Sequence, residues 1–269
     1  MIDMAIESVC IVGGGHIGGA LAAGFLKSGR ISPQNIRVTR RRPELLKSLA
    51  EAGVKAGADN REAVRGAQAV ILCVKPHQAG AVLSEIGPSL DPAAQVVVST
   101  VAGLPLSSLR ESLPGVSVFR AMPNTAAAIS DSITCLAAGP ESESKLAPVE
   151  ELFQAVGKTA VIGEELMDAA TVLGACGIAY ALRFLRAMTQ GGIEIGFSSE
   201  MAQFVAAQTL RGAASLVVET GNHPEQEIDK VTTPMGITIA GLNEMEHNGF
   251  SSALIKGVGV SFSRIAKKP

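Results

Sequence analysis

With 269 residues, 47% of them apolar, the chain can build two modest domains around a substantial core, and a formal net charge of −2 leaves no global basic field for nucleic acid. Its four cysteines, Cys10, Cys73, Cys135 and Cys176, lie far apart and never form a CxxC pair, which argues against a disulfide framework, a zinc site or any other metal. The N-terminal segment lacks the basic start and long apolar stretch of a signal peptide, and no window reaches about 18 uninterrupted apolar residues, so a cytoplasmic protein without a membrane span is expected.

Val9–Val12 is a short apolar run that ends in glycines, and Ile17–Ser28 then reads as a helix closed by Gly29. Ile36–Thr39 is a second strand and Pro43–Ala52 a second helix that stops near Gly53. Ala69–Val74, halted by Lys75-Pro76, is a third strand; Val96–Thr100 is a fourth; Val116–Arg120, halted by Met122-Pro123, is a fifth. Runs that are apolar on both faces fit a parallel sheet covered by helices on both sides. The β–α alternation therefore predicts an α/β fold with a doubly wound parallel sheet of the Rossmann type.

After about Gly163 the strand pattern disappears. Met167–Gly196 is largely helical in pattern, interrupted by Gly174, Gly177 and Gly191-Gly192. Ser199–Thr220 is a cleaner helix, with a serine cap, Glu200 in its first turn and Gly221 beyond its end. A break is expected at Asn222-His223-Pro224. Thr233-Pro234 precedes a helix reaching His247, and Ser251 or Ser252 caps a last helix running to Lys267. The expected organisation is a dinucleotide-binding domain over residues 1–163 and an all-α domain over 164–269.

Gly13-Gly14-Gly15-His16-Ile17-Gly18 supplies GxGxxG at Gly13, Gly15 and Gly18. The pattern carries weight because it follows a strand and opens a helix. Gly13 permits the tight turn, Gly15 lets backbone approach a pyrophosphate, and Gly18 lets helix and strand pack closely. His16 and Ile17, inside the loop, face the same phosphates at the helix N-terminus. The second strand ends Thr39-Arg40-Arg41-Arg42, with no carboxylate for the ribose hydroxyls and three guanidiniums suited to a 2′-phosphate. NADP(H) is the expected cofactor, with NAD(H) as a second donor.

Five segments, in order along nearly the whole chain, resemble the pyrroline-5-carboxylate reductases. They are Val70-Ile71-Leu72-Cys73-Val74-Lys75-Pro76, Ser99-Thr100-Val101-Ala102-Gly103, Arg120-Ala121-Met122-Pro123-Asn124-Thr125, Gln208-Thr209-Leu210-Arg211-Gly212-Ala213, and Thr232-Thr233-Pro234-Met235-Gly236-Ile237-Thr238. The resemblance implies reduction of 1-pyrroline-5-carboxylate to L-proline, the last step of proline biosynthesis. It also implies a helical half that forms a homodimer or a larger homo-oligomer. Three departures stand out: His16 replaces a common asparagine, Ala175-Cys176 replaces Gly-Ser, and Met235 and Ile237 replace a glycine and a threonine.

Reducing a cyclic imine requires hydride delivery to carbon, a proton for nitrogen, and a grip on the carboxylate. By resemblance, Thr238 stands beside the imine nitrogen. Gly236 and Ile237 open a helix whose N–H groups attract the carboxylate, and Thr232 and Thr233 add hydroxyls. Val74, Lys75 and Pro76 end the third strand. Ala102, Gly103 and Asn124 follow the next two, all at the sheet edge where open α/β folds bind ligands. Two alternatives remain at this stage: a related NADP-dependent imine reductase, and a dinucleotide-binding regulatory protein without catalysis. The hydroxyacid dehydrogenases are disfavoured because Met167–Gly192 holds Arg183 and Arg186 but no lysine.

Overall fold

The computed structural model describes residues 5–266. By internal contacts the chain divides into two compact units: one runs to Cys176 and includes the chain end from Phe262, and the other is Gly177–Ser261.

The first unit is built on an eight-stranded sheet. In chain order its elements are β1 (Val9–Val12), α1 (His16–Ser28), β2 (Ile36–Thr39), α2 (Lys47–Glu51), β3 (Lys55–Gly57), α3 (Asn60–Val64), β4 (Ala69–Leu72) and α4 (Pro76–Ile86). There follow β5 (Val96–Ser99), α5 (Leu106–Ser112), β6 (Ser117–Met122), β7 (Ser132–Ala138), α6 (Leu146–Gln154), β8 (Gly157–Val161) and α7 (Met167–Ala170). The spatial order is β3-β2-β1-β4-β5-β6-β7-β8, and every pair is parallel except β6 with β7. The first six strands form the doubly wound Rossmann arrangement, as the β–α alternation predicts.

Strand residues alternate between two apolar cores. Val9, Ile11, Ala69, Ile71, Val96, Val98 and Phe119 pack on one face, and Cys10, Val12, Val70, Leu72, Val97 and Val118 on the other. Because both faces are covered, the strands need apolar residues at every position, which is why they were readable as unbroken runs.

The five expected strands are present with shifted ends: β4 stops at Leu72, β5 at Ser99, and β6 spans Ser117–Met122. Three further strands, β3, β7 and β8, were not expected. The predicted second helix is a 3-10 turn, Pro43–Leu46, that passes into the short α2. Gly29 and Gly53 take the positive φ values of 67° and 91° that end their helices.

The second unit is helical. It contains α8 (Gly177–Glu194), α9 (Ser199–Thr220), α10 (Pro224–Lys230) and α11 (Ile237–His247), followed by α12 (Phe250–Ala266). A π-helical turn, Thr171–Cys176, leads into α8 across the expected glycine interruptions, and the Thr171 hydroxyl donates to the Met167 carbonyl at 2.8 Å. The expected break falls at 221–223, after α9 ends at Thr220, and Pro224 already starts α10: it takes the first helical position and the His223 imidazole accepts the Glu225 N–H at 3.2 Å. Ser198 caps α9 by accepting the Met201 N–H. The predicted end of the last helix at Lys267 lies outside the described residues.

Among the described residues one helical run, Glu164–Glu194, is long and apolar enough by length and composition to cross a membrane, with 17% of its window buried. Asp168, Thr171, Arg183 and Arg186 interrupt this run, so it holds no unbroken apolar stretch of the kind the sequence lacks. Much of α8 and α9 is exposed and apolar, including Leu182, Phe204 and Val218.

Candidate functional site

The chain leaves β1 through Gly13, whose φ of +109° and crowded surroundings admit no side chain: a Cβ there would lie 2.5 Å from the Cys73 carbonyl oxygen. The N–H groups of Gly13 and Gly14 both bond the Thr39 carbonyl, at 3.1 and 2.7 Å, which ties the loop to the end of β2. A Cβ on Gly18 would strike the Gly13 carbonyl oxygen, so the α1 turn rests directly on the loop. Gly14, which the motif treats as variable, is equally constrained, with a Cβ meeting Leu46 at 2.7 Å and Val38 at 2.9 Å. Gly15 differs from all three. Nothing lies within 4 Å of a Cβ built there, and as the N-cap of α1 it has no side-chain cap. The first N–H groups of α1 therefore have no side-chain partner, the condition under which a helix N-terminus takes an anion.

A cleft of about 580 Å³ opens at this point. Of the expected cofactor residues, Gly13, Gly15, Thr39, Arg40, Arg41, Val74 and Lys75 line it together. His16 is exposed on the first turn of α1, Ile17 and Gly18 follow it, and Pro76 begins α4. Arg40 donates to the Gly14 carbonyl at 3.0 Å, so its guanidinium braces the loop. Arg41 and Arg42 are exposed on the cleft wall, and their guanidiniums make no hydrogen bond or ion pair among the described residues. A wall of uncommitted guanidiniums beside a bare helix N-terminus suits a dinucleotide with an additional phosphate.

Three polar cleft residues were not anticipated: Asn60 from α3, and Gln78 and Glu85 from α4. The Thr39 hydroxyl, 1% exposed, donates to Asn60 Oδ1 at 2.7 Å, and Asn60 Nδ2 donates to Glu85 Oε2 at 3.1 Å. The only signal in the sequence was the spacing of Gln78, Val82 and Glu85, which puts them on one helical face.

Ala102 and Gly103 follow β5, with Gly103 at φ +72°. Ala102 packs against the small cluster of Met122, Ala137 and Met167. Asn124 follows β6 and is 5% exposed. Its Oδ1 accepts the Ala126 N–H at 3.0 Å, a local turn bond, and its Nδ2 donates at 3.1 Å to the Gly174 carbonyl of the π-helical turn, so both ends of its amide are engaged. Upstream on β6, Arg120 is buried, 3.3 Å from Glu164 and 3.8 Å from Asp168, while Glu164 also accepts the Leu106 N–H at 2.6 Å. Burial pushes the thiols of Cys10 and Cys73 up to about 12 from an ordinary 9.0, with Thr100 as a partial counterweight at Cys73. Both groups are therefore held as neutral thiols at neutral pH, Cys10 in the core and Cys73 half-buried at the cleft.

In the second unit, Thr232 and Thr233 precede the N-terminus of α11, with the Thr232 hydroxyl given to the Asp229 carbonyl at 3.2 Å. Met235 sits at φ +59°, a left-handed conformation that favours glycine. Gly236 is the N-cap and lends no side chain to the first turn. Ile237 and Thr238 begin the helix, both exposed, and the Thr238 hydroxyl makes no hydrogen bond among the described residues. Among those residues no group of three or more His, Cys, Asp or Glu could hold a metal.

Residues 164–268 match the family model described as pyrroline-5-carboxylate reductase dimerisation, and residues 8–103 match one described as NADP oxidoreductase, coenzyme F420-dependent. The chain is 41% identical to pyrroline-5-carboxylate reductase 1 of Dictyostelium discoideum, over 97% of its own length and 49% of that protein's. It thus spans about half of that relative. It is 38% identical to reductase 2 of the same organism, over 97% of this chain and 93% of that protein, and 36% identical to the reductase of Methanosarcina acetivorans, over 95% of each. Among solved structures, the pyrroline carboxylate reductase of Plasmodium falciparum with NADP bound aligns with a TM-score of 0.85 at 25% identity, covering 97% of this chain and 98% of that one.

Proposed function

The chain belongs to the pyrroline-5-carboxylate reductase family, and on that premise we propose how its residues divide the reduction of 1-pyrroline-5-carboxylate to L-proline, the last step of proline biosynthesis. NADP(H), with NAD(H) as a second donor, supplies the hydride when bound. Gly13, Gly15, His16, Ile17 and Gly18 hold its pyrophosphate. Thr39, Arg40 and Arg41 hold the adenosine side, where Arg41 takes the 2′-phosphate. Val74, Lys75, Pro76, Ala102, Gly103 and Asn124 line its course along the carboxyl ends of β4, β5 and β6.

The substrate carboxylate is held by the uncapped N–H groups at the start of α11, around Gly236 and Ile237, with Thr232 and Thr233 shaping the approach. The Thr238 hydroxyl bonds the imine nitrogen. A neutral hydroxyl is a weak acid, so its main work is to orient the ring, and the proton arrives with a protonated imine or through this hydroxyl. The observation that carries the reading of the substrate site is the exposed, unbonded Thr238 hydroxyl on a helix with no side-chain cap.

We place the division between cofactor and helical domains at 163/164, which the extent of the dimerisation match supports. That match supports self-association, and we assign a homodimer or a larger homo-oligomer. The apolar surface of Glu164–Glu194 is read as covered by a second copy and not by lipid. Four unpaired cysteines support a reducing, cytoplasmic setting. The test is turnover of purified protein with 1-pyrroline-5-carboxylate and NADPH, with NADH in parallel, followed by loss of reduced-nicotinamide absorbance. Oxidation favouring NADPH is expected. Folded protein that binds NADPH without turning over this imine would overturn the substrate assignment.

A further inference from the structure

The cofactor cleft carries two opposite charges that do not neutralise each other. The guanidiniums of Arg41 and Arg42 stand on the β2 side without partners among the described residues. Glu85, half-buried on α4, has no cation within ion-pair distance among the described residues. One Glu85 oxygen is used: Oε2 accepts from Asn60 Nδ2. The carboxylate sets the orientation of that amide: it can only accept, so it faces the nitrogen, and the amide oxygen is left to accept from the Thr39 hydroxyl. Glu85 is thereby anchored at the cleft wall with its other oxygen uncommitted. That second oxygen is an acceptor open to a donor that a ligand brings into the cleft.

Val82 lies one turn before Glu85 on the same face of α4, lines the same cleft and packs behind onto the apolar core. The wall thus offers a small apolar surface followed by an acceptor, facing arginines that await an anion. An adenosine 2′-phosphate presents the complement: a phosphate at one end, a flat ring, and an exocyclic amino donor on that ring. Resting on the NADP(H) reading above, we propose that Glu85 determines base specificity by accepting a hydrogen bond from the adenine amino group while the ring lies against Val82.

The probe is the hypoxanthine analogue of NADPH, in which that amino group is replaced by a carbonyl oxygen that would confront the carboxylate. Binding of NADPH and of the analogue to the full chain is measured by titration calorimetry, without imine present. The native protein is expected to bind the analogue at least tenfold more weakly than NADPH. Glu85→Gln keeps an acceptor for Asn60 and gains an amide donor that suits the carbonyl, so it should reduce the ratio below threefold. Equal binding of both dinucleotides by the native protein, or an unchanged ratio in Glu85→Gln, would overturn the assignment to Glu85 while leaving the cofactor reading intact. Failure of the native protein to bind NADPH at all would overturn both.

Discussion

The glycine loop separates two jobs that a sequence motif merges, and a pair of substitutions measures the separation. Gly13→Ala places a methyl 2.5 Å from the Cys73 carbonyl oxygen and 3.0 Å from Val74, on a residue with φ +109°. Left-handed backbone costs an L residue about 1–2 kcal/mol, and overfilling a packed site costs about 1–3 kcal/mol, so a loss of about 2–5 kcal/mol is expected. Gly15→Ala places its methyl in open space on backbone at φ −82°, so stability should change by no more than about 0.5 kcal/mol. The same methyl stands where a pyrophosphate must approach the N–H groups of α1. NADPH affinity should therefore fall at least tenfold, or about 1.4 kcal/mol. Urea unfolding of the ligand-free protein and NADPH titration read the two effects independently. If Gly15→Ala unfolds as easily as Gly13→Ala, or binds NADPH normally, the division of labour is wrong.

Thr238→Ala should lower kcat at least tenfold with NADPH affinity unchanged, as read by steady-state kinetics beside nucleotide titration; normal kcat would remove Thr238 from the site. Arg41→Ala should raise KM for NADPH at least tenfold more than KM for NADH, because the lost guanidinium meets only the 2′-phosphate. Arg120→Met removes the hydrogen bond to Glu164 and leaves two carboxylates that are each about one-third exposed and can hydrate, so it should cost about 1.5–3 kcal/mol in urea unfolding. The buried thiols also set a pH dependence. Cys10 and Cys73 ionise near 9.0 when unfolded and near about 12 when folded, so the folded chain holds their protons longer. Their stabilising contribution is complete below pH 9 and is lost as pH rises from 9 toward about 12. Replacing both with alanine or valine should flatten that alkaline decline in a pH series of unfolding curves.

Strands buried on both faces were legible because each residue had to be apolar. β3 was not, since it is three residues long and includes the exposed Lys55 and the half-buried Gly57. β7 carries Ser132 and Thr134 among its buried positions, and β8 begins Gly157-Lys158 at the sheet's edge, so neither shows an apolar run. α10 was hidden because His223-Pro224, a breaker by composition, acts here as a cap followed by a first-turn proline. The phosphate loop was legible because its geometry is local. Asn60 and Glu85 were not, because residues 25 apart are joined only when α3 and α4 pack side by side. The guanidiniums of Arg40 and Arg41 look equivalent in sequence, yet one braces Gly14 and the other is free.

The sheet also insulates. Val97 and Val98 are consecutive, but each is packed into a different core, while Val98 shares its core with Phe119 and Val97 with Val118. Truncations at Val98 and Phe119 should therefore be non-additive, whereas those at Val97 and Val98 should sum. Measured over all the central strands, pairwise coupling energies would resolve into two separate graphs, interleaved along the chain and joined by almost no edges.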